Sequence, residues 1–339
     1  MTSTRRARSC WGSKRVRSIR LFTACGAALL ACTSGGVFAQ PYPARPVRLI
    51  VPFPAGGGSD IVGRIIAGKL TEQMKQQVFV DNRGGAGGSI GTEAAVRSAP
   101  DGYTLVLAST SEIAVNPAIY SKLTYDTVRD LAPVTLIAST PVVIAVHPSL
   151  PVKSVKELVA LAKARPGDIN MASAGNGTFT HLSGELFKSV TGTNMTHVPY
   201  KGAPTALTDL AAGQVQIMFS SLPAAIGLIN GGRVRAVAVS TEKRADNLPA
   251  VPTVAESGVP AYQVTYWYGT FVPAATPKEI LAQLFNEVSQ ALRAPEVAAS
   301  LARQGATPGA ISQPQFADFV KTEHARWGKV ARATGVKLD

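Results

Sequence analysis

The sequence predicts an α/β protein of two lobes, each a mostly parallel sheet flanked by helices. Three observations carry that expectation. Short apolar runs alternate with stretches of helical period along most of the chain, and the turns between them are rich in glycine and hydroxyl residues. The alternation also breaks twice, as it should where a chain crosses from one lobe to another and returns. On this reading residues 1–39 are a leader, residues 40–140 with 265–339 form the first lobe, and residues 141–264 form the second.

The leader is expected because residues 1–39 carry seven basic side chains and no acid, then an apolar run of about ten residues, then Val37-Phe38-Ala39. Cleavage is expected between Ala39 and Gln40. A lipid anchor at Cys32 is the lesser alternative, because Leu30 two places earlier fits such a signal poorly. The apolar run falls short of the roughly 20 residues that span a membrane. Removing the leader leaves 34 − 7 = 27 basic against 21 acidic residues, so the net charge drops from +13 to +6. The remaining cations are scattered without interleaved aromatics, which argues against nucleic-acid binding. All three cysteines lie in the leader, so the mature chain is expected to contain no disulfide, thiol nucleophile or Cys-ligated metal. An exported chain without cysteine suits a bacterial periplasm.

The first element is Val47-Arg48-Leu49-Ile50-Val51, an apolar strand that runs into Pro52-Phe53-Pro54-Ala55-Gly56-Gly57-Gly58-Ser59-Asp60. Ile61, Val62, Ile65, Ile66, Leu70 and Met74 then fall at helical spacing. Strand, glycine turn and helix start together make an anion site. The first N–H groups of a helix have no internal acceptor, and its dipole adds partial positive charge there. Residues 78–82 read as a second strand, 83–89 as a second glycine loop feeding a helix, and 103–108 as a third strand ending at Ser109-Thr110-Ser111. In parallel sheets ligands bind at the carboxyl ends of the strands, where these loops lie.

Two apolar runs, around 134–137 and 142–146, follow without a helix between them and mark the first crossing. The second lobe is read as helix 155–164, strand 169–172, loop Ser173-Ala174-Gly175-Asn176-Gly177-Thr178, helix 179–190, strand 197–200, helix 203–212, strand 215–219, a loop over Ser220-Ser221-Leu222-Pro223, and strand 234–239. Residues 262–272 are a return strand, and helices at 277–292, 295–304 and 313–333 rejoin the first lobe. Two crossings imply a clamp with a cleft between its lobes.

Several sharper patterns fail. Gly63-x4-Gly68-Lys69-Leu70 imitates a phosphate loop, but it ends in Leu and sits inside an amphipathic helix. Neither glycine loop contains Gly-x-Gly-x-x-Gly, there is no Gly-x-Ser-x-Gly elbow, and the four histidines lack metal-ligand spacing. No cofactor is expected.

Five motifs in order resemble the Bug or TctC-type receptors of tripartite tricarboxylate transporters. They are Tyr42-Pro43-x-x-Pro46-Val47-Arg48-Leu49-Ile50-Val51-Pro52-Phe53, Ala55-Gly56-Gly57-Gly58-x-Asp60, Asn82-Arg83-x-Gly85-Ala86-Gly87-Gly88, Pro100-Asp101-Gly102-Tyr103-Thr104-Leu105, and Val198-Pro199-Tyr200-Lys201-Gly202. The resemblance runs over the whole mature chain. It implies a Venus-flytrap, type II binding-protein fold with two crossover strands, reversible capture of a small organic acid anion, no catalysis, and delivery to inner-membrane permease subunits, with the receptor a monomer. It also implies that the ligand carboxylate is held by residues 54–59 and 173–178, partly through waters.

Neither loop contains Lys or Arg, so N–H groups, hydroxyls and helix dipoles must meet the anion. Four or five charge-assisted hydrogen bonds of about 1.5–3 kcal/mol each, less association costs of order 4–15 kcal/mol, are compatible with micromolar binding near 8 kcal/mol. The candidate ligand contacts are Phe53, Ala55, Gly56, Gly57, Gly58, Ser59, Asp60, Ser109, Thr110, Ser173, Ala174, Gly175, Thr178, His181 and Ser220. Some keep a plainer alternative. Phe53 reads as cleft wall or ordinary core, Asp60 as a helix cap or a partner for a ligand amine or hydroxyl, and the hydroxyls at 109–111 as ligand contacts or turn formers. His181 reaches the cleft or is solvated, and Ser220 and Ser221 read equally as ligand contacts or structural residues. Tyr266 and Trp267 read as core rather than an aromatic platform. Two other function classes fit the sequence: an exported hydrolase or transferase using Ser109 or Ser173 with His181, and a receptor that signals to a sensor protein.

Overall fold

The computed structural model describes residues 42–338. The expected leader, its cleavage site and Cys32 lie outside the described residues. Ten strands form one mixed sheet in the order β2-β1-β3-β9-β4-β7-β5-β6, with β8 and β10 both pairing with β4.

The first three strands are β1 (Val47–Val51), β2 (Val78–Asn82) and β3 (Thr104–Ser109), with α1 (Gly58–Met74) and α2 (Ser89–Val96) between them. All pair in parallel through the central β1, where Leu49 lies between Val80 and Leu105. A strand flanked on both sides in this way must be apolar on both faces, as Leu49, Ile50 and Val51 are. Gly63 of the false phosphate motif has a packing reason instead. A Cβ there would lie 3.1 Å from Val51 and 3.3 Å from Leu107, so its absence lets α1 settle close on β1 and β3.

The two apolar runs of the first crossing are a single strand, β4 (Leu131–Val146), of 16 residues. At about 3.3 Å per residue it extends some 50 Å, far beyond an ordinary strand. Its length follows from its double membership. Residues 131–141 pair with β9 (Thr265–Pro273), while Val142–Val146 pair with β7 (Ile217–Ser221), and 143–146 with β8 (Arg235–Val239) on the other side. All these pairings, and that of β9 with β3, are antiparallel. Beyond β7, the strands β5 (Asn170–Ser173) and β6 (Thr196–Pro199) return to parallel pairing. Two parallel half-sheets are thus joined through β4 and β9.

The helices of the second half are α4 (Val155–Ala164), α5 (Phe179–Thr191), α6 (Ala203–Ala211) and α7 (Leu222–Asn230). Helix α7 differs from expectation, since residues 220–223 read as a loop. Pro223 lies in its first turn, where its missing N–H has no acceptor to lose. The second difference is at 110–119, where the expected hydroxyl turn is helical: a π-type turn over Ser111–Val115 leads into α3 (Asn116–Ile119). The last helices, α8 (Lys278–Arg293), α9 (Pro295–Arg303) and α10 (Gln313–Thr334), follow β9, with the short β10 (Thr307–Pro308) between α9 and α10.

Helix α10 starts on a capping box, in which Ser312 and Gln315 satisfy each other's backbone. It buries Trp327 against Phe179 at the head of α5, with ring centroids 4.9 Å apart, and Phe179 in turn lies 4.6 Å from Tyr266 of β9. The N-terminus of α5 is therefore clamped between the crossover strand and the C-terminal helix. Among the described residues no helix is long and apolar enough to cross a membrane.

Candidate functional site

Four helix N-termini meet around one small cavity. Gly58 and Ser59 of α1, Thr178 and Thr180 at the head of α5, Ala203 and Pro204 of α6, and Ser221 before α7 line it, with Phe53, Pro54, Gly57, Ser111, Ala174 and Tyr266. Its volume is about 30 Å³, room for a water or two. Among the described residues no Lys or Arg lines it. What it offers an anion is partial charge: each helix end contributes about 0.3–1 kcal/mol, more where water is excluded. A larger outer chamber of about 840 Å³ shares Phe53, Pro54 and Ala174 with it and is bounded by the second glycine loop, Tyr120, Asn176 and Lys201.

Of the residues chosen from sequence, Phe53, Gly57, Gly58, Ser59, Ala174 and Thr178 line the inner cavity, while Ala55 and Gly175 line the outer chamber. Gly56 and Asp60 stand together behind the wall. Asp60 Oδ2 accepts the Gly56 N–H at 2.9 Å and Arg64 Nε at 3.0 Å. Burial pushes its carboxyl up, but those hydrogen bonds outweigh it and hold the group below the usual carboxylate range. Asp60 thus braces the loop, while Gly57 is the N-cap of α1 and offers no side chain for the purpose.

Ser109 and Thr110 also turn inward. Ser109 Oγ lies between Glu112 and Tyr266, and Thr110 Oγ1 accepts the Trp267 N–H at 3.0 Å. Ser111, one residue on, faces the cavity, and its Oγ accepts the Phe179 N–H at 3.0 Å from the head of α5. The same offset separates Ser220 from Ser221. Ser220 is buried with its Oγ donating to the Ser221 carbonyl, whereas Ser221 lines the cavity. Alternation of strand side chains decides between the two, and an unrecognised helix start hid the answer.

Ser173 and His181 belong to a polar cluster behind the second loop. Ser173 Oγ meets His197 Nε2 at 2.6 Å, the rings of His197 and His181 stack with centroids 3.8 Å apart, and His181 Nε2 lies 3.7 Å from Glu185. The two histidines, 16 positions apart in sequence, are therefore neighbours. Burial, and then the neighbouring His181, pulls His197 down to about 4, so its ring is neutral at ordinary pH. Glu185 falls to about 2: burial raises it, but His181 and Lys188 dominate.

Tyr266, read from sequence as core, lines the cavity together with Thr180, which the sequence did not single out, and Tyr268 lies against the same wall. A Cβ on Gly58 would come within 2.6 Å of both Tyr268 Oη and Ser221 Oγ, so the α1 backbone approaches these two hydroxyls as only glycine allows. The aromatic and β-branched run 265–272 gave no hint of which rings would point inward.

An α/β fold in which one long strand serves two parallel half-sheets is that of the periplasmic solute-binding receptors. The chain belongs to one family of them, described as the tripartite tricarboxylate transporter family receptor, whose family model matches residues 62–336. Protein BugT of Bordetella pertussis is 40% identical over 303 residues, covering 89% of this chain and 93% of the relative. Among solved structures, an R. palustris protein solved with adipate is 38% identical with a TM-score of 0.85, covering 87% of this chain and 99% of that one. MatC from Rhodopseudomonas palustris, solved with bound malate, is 32% identical with a TM-score of 0.82, covering 85% and 99%.

Proposed function

We propose that this receptor captures a small organic acid as its anion, with a carboxylate at the inner cavity between the α1 and α5 N-termini and the rest of the molecule in the adjoining outer chamber, and hands it to the inner-membrane permease of a tripartite transporter. One observation carries the reading: four helix N-termini and a set of hydroxyls surround a cavity lined by no cationic side chain. Such a site suits a carboxylate, whose two oxygens accept several N–H and O–H donors without a full countercharge. The relatives solved with adipate and malate support the same chemical class. The receptor works as a monomer in the periplasm, after removal of residues 1–39.

The lobes are 40–140 with 265–339, and 141–264. The hinge lies in β4 at Pro141, where its partner changes from β9 to β7 and β8. Closure of the lobes would bring both loops onto one ligand. The protein acts by binding and not by catalysis. Ser173 is buried against His197 and does not present its Oγ to the cavity, which counts against the hydrolase alternative.

The test is a thermal-shift screen of the purified receptor with adipate, malate, citrate, glutamate and nicotinate beside neutral sugars. A ligand at 100 times its Kd stabilises by about 2.7 kcal/mol, so at least one carboxylate should raise the melting temperature. A response to sugars alone would refute the anion reading.

A further inference from the structure

Behind the cavity wall lies a carboxyl with no charged partner among the described residues. Glu112, in the π-type turn, is fully buried. Its Oε2 accepts the Ser109 N–H at 3.0 Å and the Ser109 hydroxyl at 2.5 Å, while Oε1 has no hydrogen-bond partner among the described residues. The Tyr266 hydroxyl donates to Ser109 Oγ at 2.7 Å, and Tyr266 lines the cavity. A continuous chain of hydroxyls therefore runs from the ligand cavity to Glu112.

The direction of that chain depends on one proton. With Glu112 ionised, both hydroxyls point away from the cavity: Tyr266 donates to Ser109, and Ser109 to the carboxylate. With a proton on Oε2, Glu112 donates to Ser109 Oγ, Ser109 donates to Tyr266 Oη, and the Tyr266 proton is released toward the cavity. A bound carboxylate gains a donor in the second arrangement. In the first it faces a phenol lone pair and, beyond it, a buried negative charge.

We propose that Glu112 is a proton-linked positioning residue: capture of a carboxylate takes one proton from solvent onto Glu112, and the relay through Ser109 turns Tyr266 into a ligand donor. This rests on the carboxylate-receptor reading above and adds its regulation. Burial pushes the Glu112 carboxyl up to about 7, against the lowering effect of the Ser109 hydrogen bonds, so the group titrates where the protein works. The ionisable groups around it leave it without a countercharge. Tyr266 and Tyr268 on β9, and Tyr125 whose hydroxyl donates to the Glu112 carbonyl, are phenols that burial pushes up and keeps neutral. On α10, which packs on the turn, Glu323 is held by Trp267, Trp327 and Arg326, and His324 by Thr127. Gly88 of the second glycine loop closes the remaining side, where a Cβ would strike the Glu112 side chain at 2.5 Å.

Adipate binding is measured calorimetrically on the purified receptor from pH 6 to pH 8, in two buffers of different ionisation enthalpy. For a group titrating about 7, affinity should fall about tenfold over that range, with nearly one proton taken up per ligand at the upper end. Glu112→Gln, which cannot ionise, should bind adipate with the same affinity at pH 6 and pH 8 and take up no proton. Tyr266→Phe should weaken binding at pH 6 and flatten the pH dependence. A flat affinity without proton uptake in the unaltered receptor overturns the relay and leaves the receptor reading standing. If adipate binds at no pH, that reading loses its probe and the relay is judged on the free protein. Infrared difference spectra from pH 5 to 9 should then show a protonated carboxyl lost as pH rises, and absent in Glu112→Gln. Absence of that band from the unaltered receptor refutes the proposal.

Discussion

The loop after β1 and the loop after β5 each lead into a helix whose N-terminus faces the same cavity, yet they commit their N–H groups in opposite ways. In the first, Gly56 is tied to Asp60 and Gly57 to the Pro54 carbonyl. Gly58 and Ser59, at the first two positions of α1, have no intrahelical acceptor and stand at the cavity. In the second, Ala174, Gly175, Gly177 and Thr178 donate to Thr180, Ser173, His181 and the Gly175 carbonyl. The head of α5 is also engaged, with Phe179 bonded to Ser111 and His181 to Thr178. One loop is an open set of donors; the other is a knot. The difference teaches that similar glycine-rich sequences can present opposite surfaces to a shared cavity: the first leaves helix N–H groups open there, and the second spends its own on holding its shape.

The most damaging change to that division is Gly58→Ala. The new methyl would lie 2.6 Å from Ser221 Oγ and Tyr268 Oη and push the α1 terminus off the cavity. Loss of two charge-assisted hydrogen bonds, about 1.5–3 kcal/mol each, predicts at least a 100-fold loss of carboxylate affinity by calorimetry. Unchanged affinity would mean that the open donors are not the anion site.

Ser111→Ala tests the link between the loops, since it strands the buried Phe179 N–H. A cost of about 1–3 kcal/mol is expected. It should appear as a lower melting temperature, with a relative gain in affinity if the freed N–H then reaches the ligand. No change in either measurement would show that α5 does not depend on the first half for its cap.

A smaller effect concerns the knot alone. Because His197 is pulled down to about 4, the unfolded chain binds more protons than the folded one between about 4 and the ordinary histidine value near 6.5. Its contribution to stability is therefore present above pH 6.5 and is lost as pH falls through that window. Denaturant unfolding at a series of pH values should show this decline, and His197→Gln should reduce it. Carboxylate affinity at pH 7.5 should hardly change, since His197 stands behind the wall.

The fold was legible where local chemistry decides it. Apolar runs located the strands of both halves, and helical period located α1, α5 and the last three helices within a residue or two. Two helical stretches escaped for a shared reason: Pro117 and Pro223 lie in first turns, where proline looks like a breaker but is tolerated. At the site, the glycine loops were found because strand, turn and helix start are contiguous in sequence. The wall residues Ser111, Thr180, Ser221 and Tyr266 were harder, because a shift of one residue in a strand or helix start exchanges the inner face for the outer.

By itself, then, the sequence determined the order of most elements, the two glycine turns at helix starts and the lack of a cationic side chain in either, since each of these is a property of neighbouring residues. Only the tertiary structure decided that two half-sheets share one 16-residue strand, that Asp60 faces its own loop, and that Glu112 sits behind Tyr266. Those facts depend on which distant strands pair and on which face each side chain then turns, and no local pattern encodes either.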